Sequence, residues 1–490
     1  MASGGAVFEA GVTLGSSRVE GTLSVDLEAG SVGWYPLGAR QGDAIGLHDD
    51  DDSDSGSCGG CLTWEGAPSL PLEIRGGDLV GASPCPSDAK TYPSFKVFYF
   101  VEEVSKRRGG RSRRRLKVTD EFLCTNTGLC EECVDKIREC AGHARSRKGV
   151  KVVVNPVSGA GRGLRAAREL LGPCLEASGA KHDVTVTREP GEAKTIAASI
   201  DIDAYDTLVV VGGDGTMHEA LQGLCGRPDA DRRAADLAFA VVPTGSGNGF
   251  AASIGALDAE TAAWGIFRNA RRPLDVCSVV QDPWNGADRK FMFLTLTFGF
   301  ISDLDLDTES LRFLGQARFT LGAVYQMLAG RTTDARVAYV SSGEVSEGEG
   351  GGGLGLRFVG GIASSQGGSL KDPPPPWRVL DQEKFQLFVL SNVPCMSMGD
   401  RVAPTQDPSS GSLSMVTTGR NGRLKNIAMF DAVEDGTTAD CDIISYQDVA
   451  AFAVEPLSDR FQFSLDGERI PTRTLYGEIH RGLGRFLTCL

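Results

Sequence analysis

The sequence predicts a chain that combines α/β and all-β architecture, and three observations support this prediction. Between about residues 150 and 275, four short apolar runs alternate with helical patterns, which is typical of a parallel sheet flanked by helices. On both sides of this segment, short runs alternate with period two, which is typical of antiparallel strands. Three glycine-rich turns follow the apolar runs of the central segment, where such sheets bind ligands.

Length and charge agree with a chain of several domains. At 490 residues the chain is long enough for three domains of roughly 150 residues each. Lys and Arg number 50 against 64 Asp and Glu, a net charge of −14, which argues against nucleic acid as the main partner. Residues 1–17 lack the basic and apolar parts of a signal peptide. The longest apolar stretch, residues 291–301, is shorter than the ~20 residues that span a bilayer. We therefore expect a cytoplasmic protein.

The thirteen cysteines are expected to be mostly reduced thiols. Cys124, Cys130, Cys133 and Cys140 form a cluster that invites comparison with a zinc site. However, no His lies at the spacing of a zinc finger, and Cys133 and Cys140 fall in a helical pattern. Core or surface thiols are therefore favoured, and no metal site is assigned.

Residues 1–146 are predicted to form a small antiparallel β module closed by a helix over Cys130–Ala141. Its acidic run, residues 49–54, is interpreted as a solvated loop. Its basic turn, residues 106–115, lies between two strand-like runs. The clustered arginines are either solvated or meet anionic lipid headgroups, at about 1 kcal/mol per charge.

Residues 147–275 are predicted to form a Rossmann-like parallel sheet, and residues 276–490 a mostly antiparallel β-sandwich. The strands expected in the central segment are residues 151–155, 183–187, 207–212 and 238–243. The strands expected in the last segment are residues 276–280, 291–298, 336–340, 384–390 and 460–465.

The three glycine turns point to the chemistry. The second turn, residues 212–216, places Asp214 between glycines at the start of a helical pattern, where backbone N–H groups can hold an anion and the carboxylate can act on it. The first turn, residues 155–163, resembles a phosphate cradle but lacks the Gly-Lys-Ser/Thr ending of a P-loop. The third turn, residues 243–248, offers further N–H groups. Three such turns on one sheet edge imply a polyphosphate.

Taken in order, these motifs resemble those of the sphingosine kinases, in the lipid-kinase superfamily that also holds diacylglycerol and ceramide kinases. The matching segments are the three turns with Met217-His218-Glu219, residues 298–305, and Leu465-Asp466-Gly467-Glu468, and they run from about residue 150 to the end of the sequence. The Gly-Gly-Asp-Gly turn alone is shared with NAD kinases and phosphofructokinases, so the ordered set carries the resemblance. Residues 1–146 resemble the pleckstrin-homology-like extension of some lipid kinases.

The resemblance implies a role for each matching residue. Asp214 would be the base that accepts the proton of a primary alcohol attacking the γ-phosphate of ATP. ATP and Mg²⁺ are the implied cofactors. The residues implied for the ATP site are Asn155, Pro156, Val157, Gly159, Thr187, Glu219, Gly245, Ser246, Gly247, Arg312, Arg318, Asp466, Gly467 and Glu468. Those implied for the lipid substrate are Gly212, Gly213, Asp214, Gly215 and Asp305.

Without the resemblance, two of these assignments would have plainer interpretations. Arg312 and Arg318 would be surface partners of Asp307 or Glu309. An Asp-Gly pair such as Asp466-Gly467 would be an ordinary hairpin turn. The apolar segment 313–328 could line an acyl-chain tunnel, and an ordinary buried helix would look the same.

Asp305 bears most on the identity of the substrate. In sphingosine kinases the matching Asp meets the amino-alcohol headgroup, and a carboxylate can pair with an ammonium while accepting from a hydroxyl. Ceramide lacks the ammonium and diacylglycerol has no nitrogen, so an acid here favours a free sphingoid base. One alternative is that residues 303–307 form an acidic loop in which only one carboxylate matters. The other is a calcium loop, which is disfavoured because this segment lacks the glycine and the terminal Glu that such a loop requires.

The resemblance predicts an ATP-dependent sphingoid-base kinase that contacts membranes peripherally. The alternatives are a ceramide or diacylglycerol kinase, or a catalytically weak lipid-binding adaptor. The sequence does not fix the oligomeric state, and a homodimer is one assembly open to it. The chain departs from the family at Ala160, where a Lys is frequent, and Arg162 is a candidate substitute.

Overall fold

A computed structural model describes the chain in two compact units. These are Met1–Val150 with Ala167–His182, and Lys151–Ala166 with Asp183–Leu490. The described residues are 7–14, 19–36, 72–75, 77–85, 92–107, 110–142, 148–281, 289–299, 332–344, 354–364, 370–458 and 461–490. The acidic run 49–54, the segment 313–328, and Asp305, Arg312 and Arg318 lie outside the described residues.

The first unit contains a seven-stranded antiparallel sheet of order β4-β3-β2-β1-β7-β6-β5. Its strands are β1 (Val7–Leu14), β2 (Val19–Asp26), β3 (Ser31–Pro36), β4 (Leu72–Arg75), β5 (Leu79–Pro84), β6 (Ser94–Arg107) and β7 (Gly110–Leu123). The helix Thr127–Ala141 follows, begun by the side chain of Asn126, which accepts from the Leu129 N–H, and ended by Gly142 at φ 68°. The predicted antiparallel strands and closing helix are confirmed.

The apolar face of this helix packs in the core of the sheet. Cys130 and Cys133 are buried together with Phe95 and Phe122. Burial raises the pKa of the Cys130 thiol to about 11, so the thiol stays protonated at neutral pH. Among the described residues, no group of three His, Cys, Asp or Glu side chains is placed to hold a metal ion.

A crossover helix begins in the second unit and continues into the first. It consists of Arg162–Arg165, a π-helical stretch over Ala166–Leu171, and Gly172–Ser178. Within the first unit, the guanidinium of Arg138 donates to the carbonyl oxygens of Ala82 (2.9 Å), Glu176 (3.0 Å) and Ala177 (3.2 Å). These bonds add partners for the last carbonyl groups of the helix, of which that of Glu176 also accepts from the N–H of Gly179 at 3.2 Å. The β module thereby holds the last turn of the crossover helix.

The α/β part of the second unit contains the predicted strands within one residue at each end. They are β8 (Val150–Val154), β9 (His182–Val186), β10 (Thr207–Gly212) and β11 (Ala238–Pro243), in the order β9-β8-β10-β11. β10 pairs with β11 in parallel, and every residue of β10 is buried. The further helices of this part are Glu192–Ser199, Asp214–Cys225, Ala230–Arg233, Gly249–Ser253 and Ala259–Arg268.

The remaining strands pair antiparallel with one another. They are β12 (Arg271–Val280), β13 (Lys290–Met292), β14 (Thr295–Gly299), β15 (Thr333–Ser341), β16 (Arg378–Val379), β17 (Lys384–Phe385), β18 (Leu387–Ser391), β19 (Leu413–Thr418), β20 (Ser445–Pro456), β21 (Phe463–Leu465), β22 (Glu468–Ile470) and β23 (Leu475–Leu487). The helices Arg357–Ser364 and Arg423–Asp435 accompany them. Inside this part, stacked and edge-on phenylalanines such as Phe298, Phe388 and Phe463 fill the core.

Two features of this part differ from the prediction. The sheet is hydrogen-bonded to the α/β part, because β23 pairs antiparallel with β12 and β20 and in parallel with β11. The predicted strand 291–298 is broken after Met292, because the N–H groups of Phe293 and Leu294 donate to the Asp466 carboxylate.

No helix among the described residues combines the length and apolarity that crossing a bilayer requires.

Candidate active site

The three glycine turns meet at the ends of β8, β10 and β11. A Cβ atom on Gly159 would lie 2.1 Å from the Thr244 carbonyl oxygen, so the first and third turns touch through their backbones. A Cβ atom on Gly245 would lie 2.7 Å from the Cα of Gly213, so the second and third turns touch as well. Glycine is required at these contacts because no side chain fits between the turns. The predicted convergence of the turns on one sheet edge is confirmed.

Asp214 is the first residue of the helix Asp214–Cys225, here called the Asp214 helix. Its Oδ2 accepts from the N–H of Gly249 at 2.8 Å and its Oδ1 from the N–H of Phe250 at 3.2 Å. Burial raises the pKa of Asp214 to about 6, and the negative charge of Asp466 also raises it, while the two N–H groups act in the opposite direction. A carboxylate with a pKa near 6 is ionised at neutral pH and is still a competent proton acceptor.

The first turn is joined to the other two by side chains as well as by backbone. The Asn155 amide donates to the Thr216 hydroxyl at 2.9 Å, which connects the first turn to the Asp214 helix. Arg162 donates to the carbonyl oxygens of Gly159 (3.1 Å) and Thr244 (3.3 Å). Arg162 therefore holds the first turn against the third. Val157 is 81% exposed at the tip of the first turn.

The third turn is closed by Asn248. Its side chain accepts from the Gly245 N–H at 3.1 Å and donates to the Gly245 carbonyl at 2.8 Å. Asn248 adopts a left-handed conformation at φ 55°, which Asn tolerates better than most residues. Ser246 is exposed, and a Cβ atom on Gly247 would lie 3.3 Å from the Asp214 Oδ2. The turn therefore presents Ser246 and Gly247 beside the carboxylate.

The late turn contributes two different carboxylates. Glu468 is exposed, and its Oε1 lies 3.5 Å from the position of a Cβ atom on Gly215. Asp466 is fully buried, and its carboxylate accepts from the backbone and from His218. Glu468 therefore faces the glycine turns, whereas Asp466 lies behind them.

The remaining residues expected at the ATP site occupy different surroundings. Thr187 follows β9 and is buried, with its N–H and hydroxyl both donating to the Val154 carbonyl. Glu219 is half-buried on the Asp214 helix. Asn155, Gly159, Asp214 and the glycines of the second and third turns are brought together with Glu468.

His218 and Gln222 lie on the same face of the helix as Asp214. No role was assigned to either residue from the sequence. His218 lies four residues after Asp214 and bonds Asp466, and Gln222 lies four residues further and bonds the backbone of Phe291. Residues four apart lie on one helix face. Polar residues repeated every four positions along a largely buried helix were the signal that could have identified them.

Comparison with known proteins finds a matching family model and similar sequences. Residues 149–279 match the model of the diacylglycerol kinase catalytic domain. The chain is similar to sphingosine kinase 1 of Homo sapiens, with 29% identity over 349 residues that cover 68% of this chain and 88% of the relative. It is also similar to sphingoid long chain base kinase 4 of Schizosaccharomyces pombe, with 25% identity over 419 residues that cover 81% of this chain and 85% of the relative.

Among solved structures, the crystal structure of a putative diacylglycerol kinase from Bacillus anthracis str. Sterne superposes with a TM-score of 0.51 at 17% identity. The match covers 70% of this chain and 98% of that one. At this identity the likeness concerns the fold alone.

Proposed function

Because residues 149–279 match the model of the diacylglycerol kinase catalytic domain, we propose that the chain transfers the γ-phosphate of ATP to the primary hydroxyl of a sphingoid base. The observation that carries the proposal is the convergence of three glycine turns on Asp214. Relatives named sphingosine kinase and sphingoid long chain base kinase support the choice of acceptor.

In this proposal Asp214 orients the acceptor hydroxyl and takes its proton as the oxygen attacks phosphorus. The bond between the γ-phosphorus and the bridging oxygen breaks, and ADP leaves with that electron pair. The N–H groups of the glycine turns and the N-terminus of the Asp214 helix suit the phosphate oxygens. Arg312 and Arg318 remain the predicted ligands of the γ-phosphoryl group, since guanidinium forks suit its equatorial oxygens.

We propose different roles for the two late-turn carboxylates. Glu468, exposed beside Gly215, keeps its proposed place at the ATP phosphates together with Gly467. Asp466 is fully buried and hydrogen-bonded, so its proposed role is to position other residues. Mg²⁺ fits this site as a companion of ATP, because it binds through phosphate oxygens and keeps several waters, and therefore needs no cage of protein ligands.

The acceptor is proposed to be a free sphingoid base because Asp305 can pair with its ammonium. The test measures phosphate transfer from labelled ATP with Mg²⁺ to sphingosine, phytosphingosine, ceramide and diacylglycerol. We expect transfer to the free bases alone, lost in Asp214→Asn and impaired in Asp305→Asn, with Asp307→Asn as the matched control from the same acidic run. Transfer to ceramide or diacylglycerol would overturn the headgroup assignment. If the Asp214→Asn variant kept normal cellular function, the alternative of a catalytically weak lipid-binding adaptor would be favoured.

The N-terminal module is proposed to be pleckstrin-homology-like and to contact membranes through the hairpin between β6 and β7. Seven antiparallel strands closed by a helix support the first part, and the run of arginines supports the second. The variant for the test neutralises Arg111, Arg113 and Arg114 and keeps Arg115, which pairs with Asp78 at 3.1 Å. Unchanged sedimentation of that variant with anionic liposomes would remove the hairpin from the proposal. Sedimentation velocity of the full chain tests whether it forms a homodimer.

A further inference from the structure

A buried polar pair lies behind the proposed base. His218 is 8% exposed and its Nδ1 lies 2.9 Å from the Oδ2 of Asp466, whose side chain is fully buried. The two residues are 248 positions apart in sequence and join the Asp214 helix to the turn between β21 and β22. A polar pair buried so completely is costly unless every member is hydrogen-bonded, so its geometry is tightly fixed.

Asp466 is held on its other side by the backbone. Its Oδ1 accepts from the N–H groups of Leu294 (2.9 Å) and Thr295 (3.0 Å), and its Oδ2 from that of Phe293 (3.2 Å). The Asp466 N–H donates to the Thr295 carbonyl at 2.7 Å. Because the carboxylate acts as an acceptor throughout, the His218 Nδ1 is the donor in the fourth bond. The break between β13 and β14 thus forms a socket for the Asp466 carboxylate.

His218 and Asp214 lie on one face of the Asp214 helix, four residues apart. Asp214 is fixed to Gly249 and Phe250 at the helix start, and His218 is fixed to Asp466 one turn later. Two such contacts on one face determine how the helix is rotated about its axis. We propose that His218 and Asp466 are positioning residues that set the direction of the Asp214 carboxylate for phosphoryl transfer. This inference rests on the proposed function.

Asp466 also acts on Asp214 through its negative charge. The negative charge of Asp466 contributes to the raised pKa of Asp214. Among the described residues, the other ionisable groups on the elements around Asp214 include His218, Glu219 and Cys225 on its helix, Glu468 in the late turn and Arg162 in the first turn. Neutralising Asp466 therefore removes a charge that makes Asp214 more basic.

The experiment compares wild type, His218→Leu, His218→Asn and Asp466→Asn in the full chain, with kcat and the KM for ATP measured across pH. His218→Leu removes the donor, and we expect kcat to fall by about 10- to 100-fold at unchanged KM for ATP. His218→Asn keeps an amide donor near the position of Nδ1, and we expect it to restore most of kcat. Asp466→Asn is expected to lower kcat and to move the acid limb of the pH profile to lower pH.

The outcomes separate the inference from the proposed function. An active wild type with unchanged kcat in His218→Leu, or with equal losses in His218→Leu and His218→Asn, would overturn the positioning role while leaving the kinase. A wild type that transfers no phosphate to any lipid would refute the proposed function and this role with it. Circular dichroism shows whether Asp466→Asn folds. If it does not fold, the comparison of His218→Leu with His218→Asn still tests the positioning role.

Discussion

Asp214 is the residue whose protonation should control activity. Its pKa is raised to about 6, chiefly by burial, from the ordinary value of 3.8. A protonated carboxyl cannot accept the proton of the acceptor hydroxyl, so activity should fall as pH drops through 6 and not through 4. We expect the acid limb of kcat/KM to have its midpoint near pH 6. An acid limb of kcat/KM with its midpoint near pH 4 would contradict the base assigned here.

Adding one methyl group at Gly245 should push two of the glycine turns apart. Its Cβ would lie 2.7 Å from the Gly213 Cα, so Gly245→Ala must displace the second or third turn. We expect kcat/KM for ATP to fall by about 10- to 100-fold, because displacements near 1 Å have this cost. Gly422→Ala is the matched control, since no heavy atom lies within 4 Å of its Cβ position. Equal effects of the two substitutions on phosphate transfer would argue against the close approach.

At the scale of residues, the sequence was informative about the backbone of the site and less so about its supports. Gly213 and Gly245 stand in short motifs after strands, so their position at the sheet edge follows from local rules. The pairing of His218 with Asp466 spans 248 residues, and local rules give no distance between such positions. The buried state of Asp466 was equally hidden, because an Asp-Gly pair is usually an exposed turn.

At the scale of elements, the crossover helix depends on a side chain from the β module. Arg138 donates to carbonyl groups of Glu176 and Ala177 in its last turn and of Ala82 in β5. Arg138→Ala should lower the free energy of unfolding by about 1 to 2 kcal/mol, since charged hydrogen bonds are among the stronger ones and this one is partly solvated.

Thermal unfolding of the full chain measures this effect. Lys136→Ala on the same helix is the control, because Lys136 makes only a surface pair with Glu139 at 3.2 Å and should change stability by less than about 1 kcal/mol. If the two variants melt alike, Arg138 does not hold the crossover helix.

Elements were predictable where burial follows the residue pattern. β10 and β11 are buried Val-rich runs bounded by turns, and their predicted limits are those observed. The helix Arg423–Asp435 was not predicted, because its pattern runs against the usual rule. Leu424 is 83% exposed there, whereas Asn426 is 1% exposed. Periodicity does not identify a helix in which apolar residues such as Leu424 face outward and a polar one faces inward.

At the scale of the whole molecule, the division into domains at residues 146 and 275 remains a prediction. Within the second unit the hydrogen-bonded sheet passes from the α/β part to the antiparallel part through β23. The sequence predicts these parts as separate domains, because nothing local shows that residues 485 and 486 pair with residues 238 and 239. Such a parallel pairing between distant segments is a long-range contact that the hydrophobic pattern does not encode.

β23 should therefore contribute to the stability of the site as well as to that of the sheet. Phe486 is 1% exposed, and its ring lies 5.7 Å from that of Phe250, whose N–H donates to Asp214. Phe486→Ala removes a buried aromatic ring, and we expect a loss of about 3 to 5 kcal/mol in the free energy of unfolding. Leu490→Ala is the control, because Leu490 is 70% exposed.

Thermal melting and phosphate transfer, measured on the same preparations, test whether this support reaches the site. If β23 supports the Phe250 backbone that binds Asp214, Phe486→Ala should lower kcat even at temperatures where the variant is fully folded. Without the Phe486 ring, Phe250 can move, and the Asp214 carboxylate loses a fixed hydrogen-bond donor. A variant that melts earlier but turns over at the wild-type rate when folded would restrict β23 to a structural role. The contact between Phe250 and Phe486 would then have no bearing on the chemistry.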